Sequence, residues 1–258
     1  MVPEGHVLPL LKAVYGTVQA ARRWHTKKST WMEDNDYRAV NSEKTIFMKQ
    51  DGKEFIMHGI FVDDMKHVPT AKYLLDEFLE KYSRDFEITG GHHLMESFIG
   101  LDVEQSRSTI SLHLDSYIQE TLDIYKEHPA TKMIRPKATP MQQGNALTTA
   151  DADVLVEPEK HKQALYRSMV AQLQFAATWV RFDVSYTVGQ LARFCASAGS
   201  HFAALHHLME YLEKHPSFKL ECSTKPTGID GYCNEDWGTS DNSRSITGNI
   251  FRCGALNC

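Results

Sequence analysis

Apolar residues form two consecutive strand-like runs within the first hundred residues of the chain. Residues 45–48 make up the first run and residues 55–62 make up the second. An Asp-Gly step, Asp51-Gly52, separates them, and such a step between two apolar runs is a strong signal for a hairpin. The pattern therefore predicts an antiparallel hairpin over residues 44–62.

Helical periodicity is clearest over residues 70–82, where the apolar residues share one face and Thr70 can cap the first turn. Residues 128–159 contain four prolines and little periodicity, which is typical of a linker. The rest of the pattern predicts one helix that follows Gly16 and runs to about residue 34, a second over 115–127, and mostly helical structure over 160–214. Strands are predicted within 84–114 and 217–253. This mixture predicts an α+β fold.

Two adjacent carboxylates, Asp63 and Asp64, end the second apolar run, so we expect them at the turn after the second strand of the hairpin. Neighbouring carboxylates raise each other's proton affinity, and a divalent cation relieves that repulsion by taking oxygen ligands. Phosphoryl transfer with bound Mg²⁺ is the chemistry best served by such a pair. The alternative is a solvated Asp-Asp turn without a ligand.

Basic residues are concentrated in one segment, although the net charge of the 258-residue chain is −5. The cluster consists of Arg22, Arg23, Lys27 and Lys28, together with the tryptophans Trp24 and Trp31. Basic side chains can neutralise phosphates and an indole can stack on a base, so the cluster is a candidate surface for nucleic acid. The alternative is a solvated helix face with two core tryptophans.

Composition limits the remaining function classes. The longest apolar runs fall well short of the ~20 residues that span a bilayer, and the N-terminus lacks the pattern of a secretion signal. Five cysteines show no Cys-x-x-Cys spacing, which favours reduced thiols, and the His and Cys spacings do not suit zinc. We expect an intracellular protein, cytoplasmic or nuclear, that is not secreted and has no membrane partner.

Five segments give the chain a specific resemblance. It resembles the reverse transcriptase of Ty1/copia-type retrotransposons, in which blocks similar to these occur in the same order. The segments are LKAVYGTVQAARRW at 11–24, FVDD at 61–64, FIGLDV at 98–103, YRSMV to QLARF at 166–194, and GYCNEDW followed by RSITG at 231–248. One block would be a weak signal, but five in order cover nearly the whole chain.

The resemblance implies roles for individual residues. Asp63 and Asp64 would bind the Mg²⁺ ions that carry the nucleotide triphosphate and activate the primer hydroxyl. Gln19 would lie near the incoming nucleotide, and Gly100 would let the backbone approach the primer of an RNA or DNA template-primer. The alternatives are a surface amide for Gln19 and a strand bulge for Gly100.

The resemblance also implies a division of the chain. Residues 1–127 would be partial fingers, palm and thumb of an N-terminally truncated reverse transcriptase. Residues 128–159 would be a linker, residues 160–216 a helical connection region, and residues 217–258 the first strands of an RNase H-like domain.

Several positions depart from the family pattern. Ala21 replaces the proline of the first block, and Phe61 replaces the tyrosine before the Asp pair. Residues 65–67 are Met-Lys-His, where the family continues with an apolar strand. Phe182 replaces the proline of the family's R-P-D-I motif.

Both active sites that the resemblance implies are expected to be incomplete. The family has a further aspartate on a strand upstream of the first block, whereas here only ten residues precede Leu11 and Glu4 is their only acid. Asn234 stands where the family has its first RNase H aspartate, and Asp236 is the alternative candidate on the same strand face. We therefore expect a catalytically incomplete chain.

Three interpretations of function remain open from the sequence. The first is a fragment of a copia-type Pol polyprotein whose ancestral activity is RNA-directed DNA polymerisation. The second is a retained, non-catalytic nucleic-acid-binding or interaction module. The third is a partial gene model of an active polymerase. The sequence does not indicate an oligomeric state.

Overall fold

A computed structural model describes most of the chain. The described residues are 13–14, 16–89, 94–142, 144, 147–148, 160–223, 228–235, 245–253 and 256–257. The chain divides into two compact units, Met1–Gly91 and His92–Cys258. In the described part of the chain, every helix is too short or too polar to cross a membrane.

In its described residues, the first unit is a four-stranded antiparallel sheet with two helices. Its strands lie in the order β1-β2-β3-β4. In chain order the elements are α1 (Ala20–Asp34), β1 (Arg38–Ala39), β2 (Ile46–Asp51), β3 (Glu54–Phe61), β4 (Asp64–Pro69) and α2 (Lys72–Asp85).

The predicted hairpin is confirmed. Asp51 pairs with Glu54, so Gly52 and Lys53 form a two-residue turn between β2 and β3. Gly52 has a φ of +60°, a left-handed conformation that glycine adopts without steric cost. A second two-residue turn joins β3 to β4, so the strand continues through residues 65–67 although that segment is not apolar.

One face of this sheet packs against the helices. Ile56, His58 and Ile60 alternate along β3 and are buried. The core is rich in aromatic rings, and Tyr82 stacks on Phe86 with centroids 4.4 Å apart. Among the described residues of this unit, the buried apolar residues are Met32, Tyr37, Phe47, Ile56, Ile60, Leu74, Phe78, Tyr82 and Phe86.

The predicted capping role of Thr70 is wrong. Helix α2 has Ala71 at its N-cap and no side-chain cap. The Thr70 hydroxyl instead accepts a hydrogen bond from the backbone N–H of Phe55 at 2.8 Å and donates to the Phe55 carbonyl at 3.1 Å. The Thr70 side chain therefore bonds to the backbone near the start of β3 and does not cap α2.

The second unit combines five-stranded and two-stranded sheets with helices. Its elements are β5 (Ser97–Phe98), β6 (Leu101–Gln105), β7 (Thr109–His113), α3 (Asp115–Glu127), α4 (Lys160–Trp179), α5 (Ser185–Ala192), α6 (Phe202–Lys214), β8 (Leu220–Ser223), β9 (Ile229–Glu235), β10 (Thr247–Cys253) and β11 (Leu256–Asn257). Two short 3₁₀ helices, Phe182–Val184 and Gly199–His201, precede α5 and α6. The predicted helices at 115–127 and over most of 160–214 are confirmed.

Strand pairing in this unit joins segments from both sides of the helical region. The larger sheet has the order β11-β8-β7-β6-β5, so β8 pairs directly with β7, on the other side of the helical region in sequence. β9 and β10 pair only with each other among the described strands. The division after residue 91 also differs from the expected boundary after residue 127, and the family-based subdomains stay a prediction.

A buried ion pair anchors the helices of the second unit. The Arg181 guanidinium, only 1% exposed, donates to both carboxylate oxygens of Asp183, at 2.9 and 2.8 Å. The Tyr211 hydroxyl donates to the same carboxylate at 2.9 Å. Burial disfavours the ionised form, but Arg181 and Tyr211 outweigh it and hold the pKa of Asp183 below its ordinary value.

Candidate functional site

The Asp pair lies at the tight turn between β3 and β4. Phe61 pairs with Asp64, so Val62 and Asp63 are the two turn residues and Asp64 is the first residue of β4. Both carboxylates are exposed. Val62 has a φ of +51°, and a β-branched residue in the left-handed region is strained. The surrounding contacts must therefore hold this turn in place.

Two side chains of α1 supply those contacts. The Trp24 indole N–H donates to the Val62 carbonyl at 3.0 Å, and the Lys28 ammonium donates to the same oxygen at 2.8 Å. Because the two residues are four apart on one helix, they share a face and reach one target together. The Lys28 nitrogen also lies 4.6 Å from the centre of the Trp24 ring.

Lys28 is not the exposed cation that the sequence predicted. It is only 2% exposed. Burial lowers the pKa of Lys28, and the nearby charges of Asp63 and Asp64 oppose that shift. The expectation that Lys28 belongs to a solvent-facing phosphate-binding cluster is therefore wrong, because its ammonium is directed to the Asp turn.

The other basic residues of the cluster are exposed. Arg22, Arg23 and Lys27 line an open depression of about 460 Å³ together with Gln19 and Thr26. This arrangement brings the predicted nucleotide-binding amide and three cations to one surface of α1. A concave, positively charged surface of this kind suits a polyanionic ligand.

Trp24 is only partly available for base stacking. It is 36% exposed, its N–H is committed to Val62, and its ring contacts the edge of Phe86 at a centroid distance of 5.8 Å. The nearby Lys27 ammonium lies 4.7 Å from the Phe86 ring centre. The indole thus has a structural role in positioning the Asp turn.

The donor set at the turn does not fit a two-metal site. Carboxylate oxygens are suitable ligands for Mg²⁺, but a pair of cations about 4 Å apart needs carboxylates from separate segments. Among the described residues, no three His, Cys, Asp or Glu side chains come together as a metal-binding group. The buried ammonium of Lys28 supplies positive charge beside the two carboxylates instead.

Gly100 lies in the second unit, at the turn between β5 and β6. Phe98 pairs with Leu101, so Ile99 and Gly100 form a two-residue turn. Gly100 has a φ of +79°, and a Cβ added there would lie 3.4 Å from the Phe175 ring. Glycine is therefore explained by a hairpin turn and not by the strand bulge weighed from the sequence, while contact with a primer stays a prediction.

The predicted RNase H position lies on β9. Asn234 is exposed and pairs with Gly248 of β10, which agrees with the strand expected over residues 229–234. The alternative candidate, Asp236, lies outside the described residues. The structure thus gives Asn234 an exposed strand position.

A buried histidine pair was not predicted from the sequence. His58 and His67 face each other across β3 and β4, with their Nδ1 atoms 2.8 Å apart. His58 is fully buried against Phe78, with ring centroids 4.1 Å apart. The available signal was the alternation of side chains between the two faces of β3. It places position 58 on the same face as Ile56 and Ile60 and so indicates that His58 is buried.

Comparison with known proteins adds family information to this geometry. Residues 2–143 match the protein family described as reverse transcriptase (RNA-dependent DNA polymerase). None of the solved structures matches the chain significantly.

Three relatives illustrate the similarity. The retrovirus-related Pol polyprotein from transposon RE2 of Arabidopsis thaliana is 30% identical over 96% of this chain and 17% of its own length. The corresponding polyprotein from transposon TNT 1-94 of Nicotiana tabacum is 26% identical over 95% of this chain and 18% of its own length. The putative transposon Ty5-1 protein YCL074W of Saccharomyces cerevisiae is 22% identical over 94% of this chain and 77% of its own length. The chain therefore spans less than a fifth of the two plant polyproteins.

Proposed function

The chain belongs to the reverse transcriptase (RNA-dependent DNA polymerase) family, and from that premise we propose that it derives from the polymerising region of a copia-type Pol polyprotein. The observation that carries the proposal is the exposed Asp63-Asp64 turn between β3 and β4, within the segment that matches the family. An exposed carboxylate pair at a strand end, beside a basic helix face, suits nucleotidyl transfer to a primer.

Individual residues receive roles under this proposal. Asp63 and Asp64 occupy the position of the metal-binding carboxylates, and Gln19 faces the nucleotide. Arg22 and Arg23, with Lys27, contact phosphates of an RNA or DNA template-primer. Their exposure around one depression supports this division of roles.

The finer architecture is also a proposal. We assign the first unit to the palm and part of the fingers, and β5 to α3 to the thumb. Helices α4 to α6 form the connection region, and the β9-β10 pair is the start of an RNase H-like region. The order of these elements along the chain supports the assignment.

We propose that residues 1–258 alone do not extend a primer. The described residues place two carboxylates at the turn, and both lie on one short segment. Two Mg²⁺ ions need ligands from separate segments, so the reacting phosphate would be poorly held.

Primer extension on an RNA template with Mg²⁺ or Mn²⁺ tests this proposal. The purified chain should give no template-dependent product above the level of Asp63→Asn. Extension by the unaltered chain that disappears in Asp63→Asn would show that another acid completes the site. A competent family polymerase on the same template-primer serves as the positive control.

A second candidate function is binding of nucleic acid without catalysis. The observation that favours it is the exposed trio of cations on α1, which needs no metal to attract phosphates. Binding should be weak because the net charge of the chain is −5. Each lost phosphate contact reduces the dependence of log K on log salt by about 0.7–0.9.

Substitution of the trio tests this second function. Changing Arg22, Arg23 and Lys27 to Ala should weaken binding of a hybrid duplex and reduce the salt slope by about two to three. The control changes three exposed cations elsewhere in the first unit, Arg38, Lys53 and Lys72, and alters net charge equally. Equal effects of the two triple variants would show that the α1 surface has no special role.

A further inference from the structure

We propose that Lys28 takes the place of a cation at the Asp turn, so that it positions Asp63 and Asp64 and at the same time weakens their binding of divalent metal. This inference rests on the proposal that the Asp pair descends from a polymerase metal site. It concerns the residue that distinguishes this turn from a simple pair of metal ligands.

The first support is the placement of the ammonium. Lys28 is 2% exposed, and its nitrogen lies 2.8 Å from the Val62 carbonyl oxygen. Taking a charged ammonium out of water is costly unless opposite charge or good hydrogen bonds compensate. Val62 supplies the hydrogen bond, and the carboxylates of Asp63 and Asp64 supply the opposite charge.

The second support is the geometry of the turn itself. Val62 is held at a φ of +51°, which a β-branched side chain does not favour. Its carbonyl accepts two hydrogen bonds from α1, from Lys28 and from the Trp24 indole. These two donors fix the direction in which the following residues, Asp63 and Asp64, leave the strand.

The consequence for metal binding follows from charge. A divalent cation bound by Asp63 or Asp64 would lie close to the Lys28 ammonium, and the two positive charges repel each other. Lys28 thus keeps the turn ordered without metal and reduces the affinity for metal.

The test measures Mn²⁺ binding by electron paramagnetic resonance on the full chain without nucleic acid. Lys28→Gln removes the charge but retains a side-chain N–H for Val62, and it should bind Mn²⁺ about tenfold more tightly than the unaltered chain. Lys28→Arg keeps the charge and should match the unaltered chain. Adding Asp63→Asn and Asp64→Asn to Lys28→Gln should remove the gained affinity.

Equal or weaker Mn²⁺ binding by folded Lys28→Gln would overturn the proposal, as would a gain that persists without the two carboxylates. Trp24→Phe separates positioning from charge, because it removes one donor to Val62 and leaves the ammonium in place. It should broaden the amide signals of Val62 and Asp63 without raising Mn²⁺ affinity. A rise in Mn²⁺ affinity equal to that of Lys28→Gln would show that loosening of the turn, and not the charge of Lys28, controls the affinity for metal.

A measurement on the unaltered chain covers the case in which Lys28→Gln fails to fold. The proposal requires a slowly exchanging, hydrogen-bonded ammonium signal from Lys28, and a freely exchanging signal contradicts it. These results are independent of primer extension and of nucleic-acid binding. The Mn²⁺ affinities of the variants can therefore contradict this proposal without contradicting the proposed function, and the reverse also holds.

Discussion

Acidification should destabilise the first unit through the buried histidine pair. His58 is fully buried, and its Nδ1 lies 2.8 Å from the Nδ1 of His67. Burial, assisted by the charge of His67, lowers the pKa of His58 from 6.5 to about 3. Burial is the larger of the two causes. Its Nε2 has no hydrogen-bond partner, and the ring is surrounded by Tyr37 and Phe78. A proton there would leave a buried charge without compensation.

The size of the effect follows from these two pKa values. Between pH 6.5 and about 3, the unfolded chain binds a proton at this position and the folded chain does not, so the free energy of unfolding falls as the pH falls. At pH 5 the loss is about 2 kcal/mol relative to neutral pH, since one pKa unit corresponds to about 1.4 kcal/mol. Below about pH 3 this contribution becomes constant.

Urea unfolding at pH 7 and pH 5 measures the loss. Trp179→Phe and Trp237→Phe in the background leave Trp24 and Trp31 as the fluorescent reporters, and both lie in the first unit. Introducing His58→Leu should reduce the difference in unfolding free energy between pH 7 and pH 5 by about 2 kcal/mol.

The control for this measurement is His25→Leu, because His25 is an exposed imidazole of the same unit. This substitution should leave the pH dependence of the unfolding free energy the same as in the background chain. An unchanged pH dependence in His58→Leu, or stability that rises on acidification, would refute the reasoning.

Two further predictions concern stability. Arg181→Met should cost about 3–5 kcal/mol of unfolding free energy, because it removes a buried guanidinium and leaves the partly buried Asp183 carboxylate without its ion-pair partner. Arg84→Met, at the exposed pair with Glu80, should cost less than about 1 kcal/mol, and equal losses of the two variants in urea unfolding would contradict the burial argument. Val62→Gly should be neutral or stabilising by up to about 1 kcal/mol, because glycine relieves the strain of the left-handed backbone conformation. The control is Val68→Gly, at an equally exposed valine of β4, which should be destabilising. Thermal unfolding of both variants distinguishes these outcomes.

Local signals made the hairpin and the Asp turn predictable. The Asp51-Gly52 step and the apolar run 55–62 specify the hairpin through contacts between near neighbours in sequence. The turn containing Asp63 follows directly from the end of that run. Helix α3 was likewise predictable, because its apolar positions recur with helical spacing.

Contacts between distant segments account for what the sequence did not reveal. Lys28 looks like one more cation of a basic helix, and its burial depends on Val62, 34 residues away. Thr70 has the residue type of a helix cap, but the backbone of Phe55, 15 residues away, takes its hydroxyl. The pairing of β8 with β7 also joins strands that are separated in sequence by helices α3 to α6, and no local pattern encodes it.

Photo-crosslinking from the primer terminus tests the central claim most directly. A hybrid duplex with a diazirine at the primer 3′ end is bound to the unaltered chain at low salt, irradiated, and the modified peptides are identified by mass spectrometry. If the Asp turn is the relic of a polymerase site, crosslinks should concentrate in residues 61–66 and on the α1 surface at residues 19–27. They should also decrease when Arg22, Arg23 and Lys27 are changed to Ala. Crosslinks spread over the chain, or concentrated away from β3, β4 and α1, would contradict the account.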